Sequence, residues 1–343
     1  MSFERAYFAA SNTCEGFVSY YNEIFDKCKR IYIIKGGSGT GKNRFMRECA
    51  EHVKKYPECK KIEYFYCSFD PDSLDGVIIN DTVAIIDGTA PHIYEPTLPG
   101  AKENLIDLGA FWDSEKLAKS ADTLIELFAQ KKACFSRAYS RLGICGKLDD
   151  IKHSIAAPYL DEKKLIASVA KLISEIECDK EQKSTTRIIS ALGRKGRVSF
   201  DTYRYIAPKV YEIYDSIGLA YLWIDRIIWE AKRFDLPITV SYDPLFSHRP
   251  NGVLIGEAAA IIITDDESKA SYNINEYMCG DLNTEAQRIV DINKMQKSFI
   301  FEAVKEFEQA SNIHFGIEEI YVNAMDFSKK EEFTAKFLSK FKI

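Results

Sequence analysis

The sequence lacks the features of secreted proteins, of small domains stabilised by bound zinc and of membrane-spanning proteins. Its nine cysteines include no Cys-x-x-Cys pair and none with a histidine at metal-ligand spacing, so neither a disulfide framework nor a zinc site is expected. Residues 1–11 lack the charged-then-apolar order of a signal peptide. The longest apolar run, residues 252–264, is interrupted by Glu257 and is shorter than the ~20 residues of a spanning helix. These absences predict a cytoplasmic protein with reduced thiols and no membrane partner.

An excess of positive charge is also missing. The formal net charge is −5 at pH 7 and the isoelectric point is about 5.7, whereas proteins that bind nucleic acid over a broad surface are typically basic. Nucleic acid is therefore not an expected partner. Hydrophobic residues make up 46% and charged residues 28% of the 343 residues, which excludes disorder and fibrous repeats. At roughly 100–200 residues per domain, the length predicts about two domains.

The strongest local pattern is a strand, a glycine-rich loop and a helix in direct succession. Residues 30–35 are typical of a buried strand and residues 44–56 of an amphipathic helix. The loop between them has P-loop spacing, in which backbone N–H groups hold phosphate oxygens and Lys42 reaches the β- and γ-phosphates. We therefore expect ATP or another nucleoside triphosphate as the ligand. The loop residues predicted to contact it are Gly36, Gly37, Ser38, Gly39, Thr40 and Gly41.

Two further residues are candidate Mg²⁺ ligands. The P-loop pattern places Ser or Thr after the lysine, where its hydroxyl binds Mg²⁺, but this sequence has Asn43. An Asn carbonyl oxygen can reach the metal with a different orientation, so nucleotide binding survives this change better than efficient hydrolysis does. Residues 82–87 form an apolar strand that ends in Asp87, the pattern of a Walker B strand whose carboxylate lies beside Mg²⁺ or its water shell.

Carboxylates and a histidine follow the neighbouring predicted strands. Asp70, Asp72 and Asp75 come after the strand at residues 64–68. They could hold a metal, orient a water molecule or accept a proton from a substrate hydroxyl, or they could form Asx turns. His92 could contact nucleotide phosphate or shuttle a proton, or it could lie on a surface loop without a ligand. The candidate catalytic residues are Lys42, Asp70, Asp75 and Asp87.

The chain repeats itself at a nearly constant offset. Four segments recur in the same order: residues 31–34, 68–71, 76–79 and 83–86 resemble residues 210–213, 241–244, 252–255 and 259–262. The sequence thus predicts an α/β fold made by tandem duplication of a P-loop NTPase-like domain, with a mostly parallel sheet flanked by helices. The predicted domains are residues 1–180 and residues 181–343.

Each copy is predicted to contain a long helical insertion and to end in a strand and a helix. Apolar stripes predict long helices at residues 114–142 and 284–312. The closing strand and helix are expected at residues 154–157 and 161–178 in the first copy, and at residues 317–323 and 328–341 in the second.

The second copy is predicted to be degenerate, without a Walker A loop. Residues 215–222 stand where the first copy has its glycine-rich loop, and of the glycines only Gly218 remains. A bulky apolar loop is not expected to converge its N–H groups on phosphate, and Asp215 would repel it. Thr264 stands about where Asp87 does. The preceding basic residues could form an anion-binding face or a solvated loop; they are Arg187, Arg194, Lys195, Arg197, Arg204 and Lys209.

Beyond these patterns, the chain resembles a largely uncharacterised bacterial family of tandem P-loop proteins that are described as ATPase-like or nucleotide-binding. The resemblance covers nearly the whole chain and is carried by residues 35–42, 67–79, 84–92, 99–100 and 323–327. It implies functional roles for Asp87 and His92. Asn43 and residues 215–222 depart from the family pattern.

The leading hypothesis from the sequence is an ATP-binding protein with slow Mg²⁺-dependent hydrolysis in the first copy only. One alternative is a nucleotide or small-molecule kinase, in which a carboxylate activates an acceptor hydroxyl. A second alternative is a non-catalytic module that senses nucleotide, which Asn43 and the lost second loop favour. The expected cofactors are ATP and Mg²⁺, and a small-molecule acceptor or a protein partner remains open.

Overall fold

The computed structural model of the chain describes residues 3–181 and 183–343. Its first half consists of β1 (Phe3–Phe8), β2 (Ala10–Thr13), β3 (Gly16–Ser19), α1 (Tyr21–Phe25), β4 (Arg30–Lys35), α2 (Lys42–Val53), β5 (Lys61–Tyr66), β6 (Leu74–Ile79), β7 (Val83–Asp87), β8 (Glu103–Asp107), α3 (Ser114–Lys119), α4 (Ala121–Ala156) and α5 (Glu162–Ser174).

The second half follows the same plan. It consists of β9 (Thr185–Thr186), β10 (Ser190–Gly193), β11 (Gly196–Ser199), α6 (Thr202–Ile206), β12 (Lys209–Tyr214), α7 (Ala220–Arg233), β13 (Ile238–Tyr242), β14 (Pro250–Ile255), β15 (Ala259–Thr264), β16 (Tyr272–Asn273), α8 (Asn283–Asn323) and α9 (Phe327–Leu338).

Each half contains a six-stranded sheet, and the two sheets have equivalent strand orders. They are β1-β5-β6-β7-β4-β8 and β9-β13-β14-β15-β12-β16. In each sheet one strand, β6 or β14, runs antiparallel to both neighbours, and the other pairings are parallel. The prediction of a mixed α/β fold with two similar halves and two mostly parallel, helix-flanked sheets is confirmed.

The strand register corrects one detail of the predicted repeat. Ile34 pairs with Asp87 in the first sheet, and the equivalent Ile213 pairs with Ile263 in the second. Ile263, rather than Thr264, therefore occupies the position of Asp87. The second sheet thus has an apolar side chain where the first has its predicted metal-binding carboxylate.

The two sheets share one core and each has a second core on its outer face. The shared core joins residues of both halves, including Phe8, Phe65, Ile188 and Tyr203. β6 and β14 are buried at all six of their positions, including the polar residues Asp75 and Asn251. The outer cores contain the helices that pack on each sheet.

Two long helices form an antiparallel pair that connects the halves. Arg137 of α4 donates to Glu306 of α8 at 2.9 Å, and Lys152 of α4 donates to Asn293 of α8 at 3.2 Å. Both helices extend past the predicted limits, so the strands expected at residues 154–157 and 317–323 are wrong. No described helix combines the length and the apolar composition of a membrane span.

The helix that closes each repeat packs on the sheet of the other repeat. In α5 of the first half, Leu165 and Val169 share a core with Trp223 of the second half. In α9 of the second half, Phe337 lies 5.2 Å from the ring of Phe45 in α2. The closing helices were predicted, but their exchange between the halves was not.

Candidate functional site

The glycine-rich loop joins the carboxyl end of β4 to the first turn of α2. Gly39 and Gly41 have φ angles of 70° and 79°, a region that glycine adopts without the strain a Cβ would cause. Gly41 is the N-cap residue of α2, and no described side chain caps this helix. Backbone N–H groups in a first helical turn have no partner within the helix, so they are suited to an anion.

Lys42 folds back along this loop toward Asp87. Its Nζ donates to the carbonyl oxygens of Gly36 and Gly37 at 2.7 and 2.8 Å and lies 3.5 Å from Asp87 Oδ2. The backbone N–H and hydroxyl of Thr89 donate to Asp87 Oδ1 at 2.9 and 2.5 Å. Burial raises the pKa of Asp87, while the neighbouring Lys42 ammonium opposes that shift. The structure thus brings together the predicted lysine and carboxylate.

Asn43, the predicted metal ligand in α2, already contacts a cationic side chain. Arg47 Nε donates to Asn43 Oδ1 at 3.0 Å, and Arg47 Nη2 donates to the carbonyl oxygen of Asp72 at 3.2 Å. A metal ion bound through the Asn43 carbonyl oxygen would have to displace the Arg47 guanidinium.

Asp70 and Asp72 form ion pairs with the second half of the chain. Arg194, at the turn between β10 and β11, donates to Asp70 at 2.6 and 3.0 Å and to Asp72 at 2.9 Å. Lys195 also contacts Asp72, at 2.6 Å. The Arg194 backbone N–H donates to the Phe69 carbonyl oxygen at 3.1 Å, which anchors the turn. An arginine from the degenerate half therefore reaches the predicted catalytic segment of the first half.

The predicted basic segment does not form an open anion-binding face. Its arginines lie against carboxylates, and Arg187, which is 7% exposed, is buried rather than solvated. Each of the four arginines pairs with at least one carboxylate, and these pairs include Arg187–Glu63 at 2.8 Å, Arg194–Asp70 at 2.6 Å, Arg197–Asp243 at 3.7 Å and Arg204–Glu212 at 2.8 Å.

His92 and Asp75 are buried beside each other, so the alternative of an exposed loop histidine is wrong. His92 is 5% exposed and Asp75 is 4% exposed. His92 Nε2 lies 3.1 Å from Asp75 Oδ2. Burial disfavours a charged imidazole, but the attraction of Asp75 outweighs it, and the pKa of His92 is raised. Tyr21 stacks on the His92 ring at 4.8 Å, and its hydroxyl donates to the Asp75 carbonyl oxygen at 3.1 Å.

The C-terminal part of α8 covers the glycine-rich loop. A Cβ placed on Gly39 would lie 2.8 Å from Val322 and 3.0 Å from the Glu318 carbonyl oxygen. Trp112 lies over Gly37 in the same way, and its indole N–H is buried without a hydrogen-bond partner among the described groups. The end of α8 therefore packs directly against the glycine-rich loop.

Two basic residues on the long helices also face this region. Lys131 Nζ of α4 lies 3.1 Å from His314 Nδ1 of α8. Burial, with Lys131 and Lys42 nearby, lowers the pKa of His314 to about 4. Burial also lowers the pKa of Lys131. Neither residue belongs to a motif in the sequence, because only the antiparallel pairing of the two helices brings them together.

The equivalent loop of the second half is closed by its own carboxylate. Asp215 Oδ1 accepts from the backbone N–H groups of Ile217, Gly218 and Leu219 at 2.7–3.2 Å, and Oδ2 accepts from Ala220 at 3.0 Å. That this loop does not converge its N–H groups on phosphate stays a prediction, but the bulky side chains do not keep those groups apart. The loop does converge them, but on Asp215, which occupies the position an anionic ligand would need.

The comparisons with known proteins yield no relative. The chain matches no family model, and it matches no curated protein and no solved structure.

Proposed function

We propose that the first half binds ATP through a P-loop formed by residues 36–42 and hydrolyses it slowly with Mg²⁺. The observation that carries this proposal is the contrast between the two equivalent loops. In the second half, Asp215 takes up four backbone N–H groups. In the first half, no described side chain caps α2, and Lys42 supplies positive charge where phosphate would bind.

Each residue then has a role that follows from its position. The loop amides and the positive end of the α2 dipole hold phosphate oxygens. Lys42 exchanges the carbonyl oxygens of Gly36 and Gly37 for β- and γ-phosphate oxygens. Asp87 holds the water shell of Mg²⁺, which would neutralise charge on the phosphates.

The water-activating carboxylate and the arginine come from different halves of the chain. Asp70 and Asp75 are the candidates for orienting the attacking water. Because Arg194 pairs with Asp70 at 2.6 Å, it supplies positive charge next to this segment. An arginine in cis can stabilise the charge that develops on a transferring phosphoryl group, so the second half contributes to the proposed reaction.

Calorimetric titration of Mg²⁺ and ATP into the full chain tests the proposal. We expect one binding site per chain, because Asp215 closes the second loop. Inorganic tripolyphosphate should compete with ATP and adenosine should not, since the loop contacts phosphates rather than the base. No binding, two equal sites, or competition by adenosine alone would contradict the proposal.

Nucleotide sensing without turnover is the second candidate, and the Arg47–Asn43 contact favours it. An Asn43→Thr variant distinguishes the two functions, because a hydroxyl at this position binds Mg²⁺ directly. If catalysis is only impaired by Asn43, turnover should rise about 10-fold, which corresponds to ~1.4 kcal/mol of activation free energy. Asn43→Ala is the matched control and should give no rise. An unchanged, undetectable turnover in both variants would favour sensing.

A further inference from the structure

A second group of potential ligands lies behind the proposed phosphate site. Cys67 follows β5, Asp75 lies in β6 and His92 lies in the segment after β7. One ligand atom from each of these three residues lies within 4.8 Å of the other two. Because β5, β6 and β7 are adjacent in the sheet, the fold brings together residues that are far apart in sequence.

The polar atoms of this cluster are buried, and one of them has no partner. His92 Nδ1 has no hydrogen bond among the described groups. Asp75 Oδ2 makes no regular hydrogen bond there either, but it lies 3.1 Å from His92 Nε2. A buried carboxylate oxygen without a donor is costly unless a cation or a proton compensates it. In the metal-free chain protonated His92 compensates Asp75, and a divalent cation bound between the two side chains could replace that proton.

Aromatic residues hold the imidazole of this cluster in place. Tyr21 stacks on His92 at 4.8 Å, and Phe17 contacts the ring edge-on at 5.1 Å. A ligand whose rotamer is fixed by packing loses little entropy on binding a metal, so this environment is suited to a preformed site.

The contact partner of the His92 imidazole favours metal binding over nucleophilic catalysis. In a cysteine nucleophile pair, the imidazole contacts the thiol and removes its proton. Here His92 Nε2 faces Asp75 Oδ2 at 3.1 Å, and the Cys67 thiol has ligand atoms of both residues within 4.8 Å. The proton must leave when a metal binds, because the thiolate is the ligand form.

We propose that Cys67, Asp75 and His92 form a site for a borderline divalent transition metal of the Zn²⁺ class. Thiolate, imidazole and carboxylate are the three side-chain donors that zinc prefers, and three protein ligands leave one coordination position for water or substrate. Typical bond lengths of ~2.0–2.3 Å require the ligand atoms to approach to roughly 3.5 Å. A contraction of about 1 Å, within the range of side-chain rotations, therefore completes the site.

Cobalt titration of the metal-free full chain tests this site, since Co²⁺ replaces Zn²⁺ and reports its ligands by absorption. We expect one equivalent of Co²⁺ to give a thiolate-to-cobalt charge-transfer band and the intense visible bands of a four-coordinate ion. Zn²⁺ should remove both sets of bands. The Cys67→Ser variant should lose the charge-transfer band and bind Co²⁺ at least ~100-fold more weakly.

Two control variants keep the result interpretable. Cys279→Ser removes an exposed cysteine and should leave the spectrum unchanged. His92→Gln keeps the thiolate and should retain a charge-transfer band with weakened affinity, which tests the site if Cys67→Ser does not fold. Absence of Co²⁺ binding to the wild type, or an unchanged spectrum in Cys67→Ser, would overturn the proposal.

Lys42→Ala should bind Co²⁺ normally, so this site and the proposed ATP site can fail separately.

Discussion

Lys42→Ala should bind ATP at least ~100-fold more weakly than the wild type, equivalent to about 2.7 kcal/mol. Its turnover should fall by about 10²–10³-fold, the usual cost of removing one donor to a developing phosphoryl charge. Lys42 Nζ lies 3.5 Å from Asp87 and touches two loop carbonyl oxygens, so its removal leaves the loop without its ammonium. Calorimetry measures the affinity, and phosphate release measures the turnover.

A lysine on the exposed surface of α8 provides the matched control. Lys305 pairs with Glu302 on its own helix at 2.8 Å and is 51% exposed, and the Lys305→Ala variant should bind ATP as the wild type does. Lys42→Arg keeps the charge but has the wider guanidinium geometry, so it should restore part of the binding and little of the turnover. Equal ATP affinity in the wild type and Lys42→Ala would refute the P-loop proposal.

Glu63→Gln should lower the free energy of unfolding by about 3–5 kcal/mol. Arg187 Nη2 and Nε donate to Glu63 Oε2 at 2.8 and 3.0 Å, and the two residues are 7% and 2% exposed. Neutralising the carboxylate leaves the Arg187 charge in the shared core without its counter-ion. Because this ion pair joins β5 of the first half to the beginning of the second half, its removal should destabilise both halves. Denaturant unfolding of both proteins measures it.

Two further variants separate the buried charge from the loss of a contact. Glu302→Gln removes an exposed pair on α8 and should cost less than ~1 kcal/mol. The double variant Glu63→Gln with Arg187→Met removes both charges, so it should recover much of the loss in Glu63→Gln. A loss below ~1 kcal/mol in Glu63→Gln would show that the buried pair contributes little to stability.

Local patterns predicted β4, β7 and the glycine-rich loop, because the conformation of these segments depends on neighbouring residues. The run of β-branched and aromatic residues at 30–35 predicts a strand, and these residues form β4. The adjacent glycines lead into α2. The repeat also predicted the second sheet, since residues 31–34, 76–79 and 83–86 and their counterparts fall on equivalent strands, whereas residues 68–71 lie in the loop after β5. These features depend on residues that are neighbours in the chain.

Apolar periodicity was ambiguous where the long helices end. Residues 317–323 read as a strand because β-branched and aromatic residues recur there, but they continue α8. The packing of α8 against α4 and against the glycine-rich loop decides the conformation of this segment, and that packing has no local signature. The same explanation holds for residues 154–157 at the end of α4.

Metal-ligand spacing in the sequence excluded a zinc site, yet the proposed metal site needs no such spacing. Cys67, Asp75 and His92 come from three segments whose proximity depends on the order β5-β6-β7. Spacing rules detect ligands on one turn or hairpin, so they miss ligands that the sheet assembles. Arg194 was identified only as one of several basic residues, because the sequence does not show that its turn reaches Asp70.

The sequence by itself determined the duplicated α/β plan, the glycine-rich loop with Lys42, and the strand that ends in Asp87. Backbone propensity and apolar patterning depend on residues a few positions apart, so they can be read from the sequence without knowledge of the tertiary structure. Only the tertiary structure decided that α5 and α9 exchange halves, that Asp215 closes the second loop and that Arg194 pairs with Asp70. The helix exchange and the Arg194–Asp70 pair join residues distant in the chain, and the burial of each repeat's apolar face against the other selects them. The Asp215 contacts are local, since they span two to five residues, but they depend on the backbone conformation of the loop.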